Sequence, residues 1–217
     1  MARPQALLFD MDGLLFDTER IALGAFLDVM GGHAEDAWLR RLFLDFVGKS
    51  GADTKERLAR EFPALDPDAL EEGWIAAFQA RIADGVPLKP TVRETVQALA
   101  ARGYPMAVVT SSRRAHAEHN LRDTELLPLF RGIVPGDEVR HKKPDPEGYF
   151  AGAALLGFAP KDCAAFEDSD TGVRAATAAG CITVQIPDMR PPGERFPELG
   201  QRFAQSLGEA ARLLDLL

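Results

Sequence analysis

Asp10 and Asp12 follow the short apolar run Ala6-Leu7-Leu8-Phe9, and Gly13 closes the segment. Residues two apart in an extended chain point to the same side, so both carboxylates share one small space and repel unless a cation sits between them. Two further acids, Glu167 and Asp168, end the run Cys163-Ala164-Ala165-Phe166, while the hydroxyls of Thr110-Ser111-Ser112 end Met106-Ala107-Val108-Val109. An oxygen set without His or Cys suits a hard ion, and one that keeps some waters for a phosphate is Mg²⁺. Acids that merely terminate strands are the bland alternative. Several chain-distant strand ends that carry acids or hydroxyls together weigh against it.

These side chains need a frame that gathers strand ends. The three runs above, together with Gly132-Ile133-Val134 and Cys181 to Ile186, are too short for helices and are bounded by Gly, Pro or acidic residues, which predicts buried strands. Between them the spacing predicts helices over 91–102, 113–122, 147–156 and 170–179. Thr91 with Glu94 predicts a capping box, and Gly103, Gly157 and Gly180 stand where helix ends belong. Apolar strands alternating with helices predict an α/β fold with a doubly wound parallel sheet covered on both faces, where ligands sit beyond the carboxyl ends of the strands.

The alternation breaks after the first strand. Residues 18–30, 37–47, 52–62 and a stretch opening at Asp66-Pro67 and running to Gly85 are predicted helices, with Pro87 and Pro90 marking the return. The expected organisation is an α/β core over 1–15 and 91–217 with an all-α cap of four helices inserted at 16–90. Pro187 to Gly200 reads as a loop, followed by a weak strand at 202–204 and a helix over 207–216.

The chain of 217 residues carries 33 acidic against 25 basic side chains, a net charge of −8. It has no general basic field to gather nucleic acid or anionic membrane, and an anionic substrate needs local cationic help. Cys163 and Cys181 lie in apolar runs, which fits buried thiols in a reducing compartment. The apolar run before Asp10 is too short for a signal peptide or membrane span, so a cytoplasmic protein is expected. His116 and His119 lie on a predicted helix beside charged neighbours and read as solvated. His33 and His141 have no acidic partner at diagnostic spacing. Trp38 and Trp74 read as cap core.

The segment Leu8-Phe9-Asp10-Met11-Asp12-Gly13-Leu14-Leu15-Phe16-Asp17-Thr18-Glu19 resembles the signature of the haloacid dehalogenase-like superfamily, in its small-helical-cap phosphatase and phosphomutase branch. Val109-Thr110-Ser111-Ser112 is similar to the second motif, Lys143-Pro144-Asp145-Pro146 to the lysine motif, and Phe166 to Ala176 to the acidic fourth motif, in the family's order. The resemblance implies that Asp10 attacks phosphorus to give an aspartyl-phosphate, and that Asp12 protonates the leaving oxygen and later activates water. A carboxylate is a weak nucleophile, and becomes useful when a metal cancels its repulsion with the phosphate. Mg²⁺ would be held by Asp10, the backbone carbonyl of Asp12, Asp168, and Glu167 directly or through water. Thr110, the Ser111 amide and Lys143 would hold the phosphoryl oxygens, and Lys49, in the loop Gly48-Lys49-Ser50, could meet a second anionic group.

The implied activity is Mg²⁺-dependent hydrolysis of a small phosphorylated metabolite, with a sugar phosphate as the expected substrate and a monomer as the expected state. A sugar phosphomutase is the alternative. Ala22 and Gly51 stand near the positions of that branch's cap histidine and arginine, which favours hydrolysis. Asp12 disfavours dehalogenation, because an alkyl halide leaving group needs no proton. A phosphoacceptor receiver module, the non-enzymatic alternative, would carry its acceptor acid on a middle strand, whereas Asp45 and Asp53 fall in the helical stretch.

Overall fold

The computed structural model describes residues 3–47, 51–83, 85–190, 193 and 195–217. Strand β1 (Ala6–Phe9) leads into four helices, α1 (Thr18–Met30), α2 (Asp36–Leu44), α3 (Gly51–Glu61) and α4 (Pro67–Arg81). The chain then alternates through α5 (Val92–Ala101), β2 (Met106–Val109), α6 (Arg114–Asp123), β3 (Gly132–Val134), α7 (Glu147–Leu156), β4 (Cys163–Glu167), α8 (Asp170–Ala179), β5 (Ile182–Gln185), β6 (Arg202–Phe203) and α9 (Leu207–Leu213).

The strands form one parallel sheet in the order β3-β2-β1-β4-β5-β6. The expected doubly wound α/β architecture is therefore present. From β1 the chain fills one side with β2 and β3, then crosses to the other for β4, β5 and β6. Such a reversal opens a crevice at the carboxyl end of the central strand, and Asp10 is the first residue beyond it. Every residue of β1, β2 and β4 is buried, which is why these strands read as continuous apolar runs rather than alternating ones.

The chain divides into two compact units: Met1–Asp17, Pro87–Asp188 and Phe196–Leu217 in one, Thr18–Val86 and Met189–Arg195 in the other. In the α/β unit, Leu8, Val109, Tyr149, Ala153 and Cys163 share a core cluster. In the helical unit, Phe26 packs edge-on to Phe46 and against Trp74, whose indole N–H donates to the Ala22 carbonyl at 2.9 Å. Trp38 also packs against this cluster, so both tryptophans serve the helical core as their spacing suggested. Met189 joins the same cluster, so part of the proline-bearing stretch that reads only as a loop belongs to the helical unit.

Local signals decide the helix ends. Asp66 caps α4 by accepting from the Asp68 amide at 3.0 Å, with Pro67 in the first turn. Gly157 and Gly180 end α7 and α8 in the left-handed conformation. The capping box expected at Thr91 does not form: Thr91 has φ 67°, and its hydroxyl accepts from the Gly208 amide at 3.1 Å. A tertiary partner on α9 has taken the side chain that the local pattern assigned to α5. Cys163 and Cys181 are free, and burial pushes their thiols up to about 11 and about 12. No described helix is long and apolar enough to cross a membrane.

Candidate active site

Three strand ends bring the chemistry together. Beyond β1, the Asp10 amide donates to the Phe166 carbonyl at 3.0 Å, so the ladder to β4 continues past the strand and fixes Asp10 beside Glu167 and Asp168. The chain then folds back, with the amides of Leu15 and Phe16 donating to the Met11 carbonyl at 2.8 and 3.1 Å. Gly13 makes this turn at φ 80°, and a Cβ there would lie 2.3 Å from Asp168 Oδ2. Glycine is thus required twice over, by the conformation and by the approach of the carboxylate.

Oxygens of Asp10, Glu167 and Asp168 lie within 4.8 Å of one another. Asp10 and Glu167 are buried and Asp168 half-buried. Lys143, reaching in from the segment between β3 and α7, bonds into the group. Its ammonium donates to Asp10 Oδ1, to the Val109 carbonyl at 3.0 Å and to Glu167 Oε1 at 2.5 Å. The Tyr149 hydroxyl donates to the same Glu167 oxygen at 2.5 Å, and Ser169 donates to the other at 3.2 Å. Gly172 leaves the room for that carboxylate, since a Cβ there would lie 1.9 Å from Glu167 Oε1.

Asp12 is turned another way. Its Oδ2 accepts from the Ser112 hydroxyl at 2.7 Å and from the Thr110 hydroxyl at 3.5 Å, and Thr110 Oγ1 accepts from the Ser112 amide at 3.0 Å. Thr110 is buried at the end of β2, its amide donating to the Val134 carbonyl at 3.0 Å, while Ser111 is exposed. Among the residues singled out from the sequence, Asp10, Glu167, Asp168 and Lys143 make one bonded or closely spaced group, and Asp12 with Thr110 a second. Lys49 lies outside the described residues.

Burial pushes the Asp10 carboxyl up to about 8, against the pull of the Lys143 ammonium and with Glu167 and Asp12 adding to the rise. Burial alone would lower Lys143, but Asp10 and Glu167 beside it hold its ammonium well above the usual lysine range. The Tyr149 phenol is likewise held well above its ordinary value, by burial first and then by the Glu167 and Asp10 charges, and so stays a donor. Lys143 is bonded to two of the three clustered acids, Asp10 and Glu167. An all-oxygen group of this kind fits a hard divalent cation.

Tyr149, Ser112, Ser169 and Gly172 carry contacts that the sequence did not assign. Ser112 adjoins Thr110 and Ser169 follows Asp168, so proximity was a usable signal for both. Tyr149 offered only a weak one: a polar tip on an otherwise apolar helix segment needs a buried partner. The histidines give no metal site on the helix: His116 pairs with Asn120 at 3.0 Å and His119 with Asp123 at 3.3 Å. His141 does meet an acid, Glu147, at 3.0 Å. That carboxylate also accepts from the backbone amides of Arg140 and His141, at 2.9 and 3.0 Å, so it ties an exposed loop. The helical unit contains a cavity of about 330 Å³ with Phe46 and Trp74 in its apolar wall and Glu19, Thr54, Lys55 and Glu71 among its polar lining.

The family model for haloacid dehalogenase-like hydrolases matches residues 4–180 of this sequence. Protein CbbY of Rhodobacter capsulatus is 32% identical over 224 residues, covering 94% of this chain and 98% of the relative. The fructose-1-phosphate phosphatase YqaB of Escherichia coli is 33% identical over 189 residues, covering 85% and 97%. Among solved structures, a family hydrolase from Deinococcus radiodurans with bound phosphate and sodium superposes with a TM-score of 0.83 at 29% identity, covering 100% of this chain and 99% of that one.

Proposed function

From the premise that this chain belongs to the haloacid dehalogenase-like hydrolases, we propose that it is a Mg²⁺-dependent phosphomonoester hydrolase, working on a small sugar phosphate through an aspartyl-phosphate at Asp10. The observation that carries this reading is Asp10 itself: a buried carboxylate at a strand end, bonded to Lys143 and within 4.8 Å of two further acids. The sugar phosphate is supported by the relative named for fructose 1-phosphate.

Asp10 attacks phosphorus as the bond to the ester oxygen breaks, and Asp12 gives that oxygen its proton, so the alcohol leaves neutral. Water then attacks the phosphoryl group, Asp12 takes its proton, and the bond to Asp10 breaks to release phosphate. The Ser112 hydroxyl orients Asp12 for both transfers. Thr110, the Ser111 amide and Lys143 receive the charge on the phosphoryl oxygens. Mg²⁺, held by Asp10, Asp168 and the Asp12 backbone carbonyl, would offset the repulsion between nucleophile and phosphate. Glu167, whose Oε1 accepts from Lys143 and Tyr149 and whose Oε2 accepts from Ser169, would hold the ion directly or through water. Ala22, which lines the cavity of the helical unit, carries no group to pass a proton to a second hydroxyl, and this supports hydrolysis over mutase chemistry. A cytoplasmic monomer remains part of this reading.

Asp10→Asn keeps the shape and removes the nucleophile. With Mg²⁺ present, it is expected to lower turnover of p-nitrophenyl phosphate and of a panel of sugar phosphates by about ten-thousandfold or more, and to abolish the hydroxylamine-sensitive phosphoenzyme. Near-normal turnover in that variant would overturn the assignment.

A further inference from the structure

Tyr149 is wholly buried, and its ring lies in the apolar cluster with Leu8, Val109 and Ala153. A phenylalanine would pack there equally well, so the hydroxyl calls for its own explanation. That hydroxyl meets the one oxygen of Glu167 that also accepts from Lys143, both at 2.5 Å. Lys143 has three N–H groups, and Asp10, the Val109 carbonyl and Glu167 are their three acceptors. Gly172 leaves space for the Glu167 carboxylate, and Ser169 takes its remaining oxygen. The line Tyr149, Glu167, Lys143, Asp10 is continuous, and every link is a charge-assisted hydrogen bond, the strong class of such bonds.

We propose that Tyr149 is a positioning residue of the phosphoryl-transfer site: its hydroxyl fixes the Glu167 carboxylate where that carboxylate anchors the Lys143 ammonium beside Asp10. This rests on the phosphatase reading above. Without the hydroxyl, Glu167 keeps Ser169 on one oxygen but loses the neutral donor on the oxygen that holds Lys143, and Lys143 follows the carboxylate it is bonded to. The ammonium then stands less squarely toward Asp10 and the phosphoryl oxygens. Lys143 Nζ also lies 5.3 Å from the centre of the Tyr149 ring, a contact that phenylalanine keeps, so Tyr149→Phe isolates the hydroxyl.

The test is a double-mutant cycle of Tyr149→Phe with Glu167→Ala, read on p-nitrophenyl phosphate turnover and on affinity for inorganic phosphate, which remains measurable in variants too slow to turn over. In the wild-type background, Tyr149→Phe is expected to lower kcat by roughly tenfold to a hundredfold, the range for a hydrogen bond to a charged group. KM and the melting temperature should move little. In the Glu167→Ala background, the same change should cost less than about twofold on either measure, because the carboxylate through which the hydroxyl reaches the site is gone. Wild-type rates in Tyr149→Phe overturn the proposal, and so does an equal loss in both backgrounds, which would mean that Tyr149 acts through packing. Either result with Asp10→Asn inactive removes only the role of Tyr149. An active Asp10→Asn removes the phosphatase reading instead.

Discussion

In the α/β unit, Lys143 ties Asp10 to Glu167 with side chains no more than 10% exposed. In the helical unit, Arg81 meets Asp28 with side chains 42% and 55% exposed. The two arrangements use the same residue chemistry at opposite ends of the dielectric scale. An exposed pair gains little over two hydrated ions, whereas breaking a buried one strands a charge that water cannot reach. The apolar order is also distributed differently. The helical unit packs Phe26, Phe43, Phe46 and Trp74 against one another and leaves its charges on the surface. The α/β unit keeps acids inside at its strand ends, where they cost stability and must earn their place through chemistry.

The sharpest way to break this comparison is Lys143→Ala. It should slow turnover by about a hundredfold to a thousandfold, the range for removing one preorganised donor, and destabilise the protein by roughly 3–5 kcal/mol. Denaturant unfolding with activity assays on the same preparations checks both, and a variant of unchanged stability would mean that the buried carboxylates do not depend on Lys143.

A second measurement sharpens it through pH. The folded-state pKa of Asp10, about 8, lies above its ordinary value of 3.8, so the fold favours the neutral carboxyl. This contribution is complete below about pH 4 and is lost as pH rises toward about 8. The metal-free protein is therefore expected to melt several degrees lower at pH 8 than at pH 5, and Mg²⁺ or Asp10→Asn should flatten that slope. Wild type and Asp10→Asn with equal slopes would remove Asp10 as the cause. The smallest effect belongs to the surface pair: Arg81→Ala should change unfolding free energy by no more than about 1 kcal/mol, and less in high salt. A loss as large as that of Lys143→Ala would erase the distinction between the two units.

Legibility in the sequence followed the range of the interactions. Strands β1, β2 and β4 were readable because strands buried on both faces must be apolar throughout, and acids and hydroxyls stand out at their ends. Helix α4 was readable from Asp66-Pro67, because that cap is closed by the Asp68 amide two residues away. Thr91 was misread because its hydroxyl partner, Gly208, comes from the far end of the chain and outcompetes the local capping box.

By itself, then, the sequence determined the alternation of strands and helices, the helical insertion and the residue types at the strand ends, since all of these depend on local pattern and turn chemistry. Tertiary structure alone decided which acid faces which partner: Asp12 toward Ser112, Glu167 toward Tyr149 and Lys143, and Asp168 against Gly13. It also decided that Met189 packs in the helical unit. These pairings reach residues as far apart in the chain as Gly13 and Asp168, and no local preference encodes them. They are fixed when the sheet forms in its β3-β2-β1-β4 order, because only the registered strands bring those ends within hydrogen-bonding range.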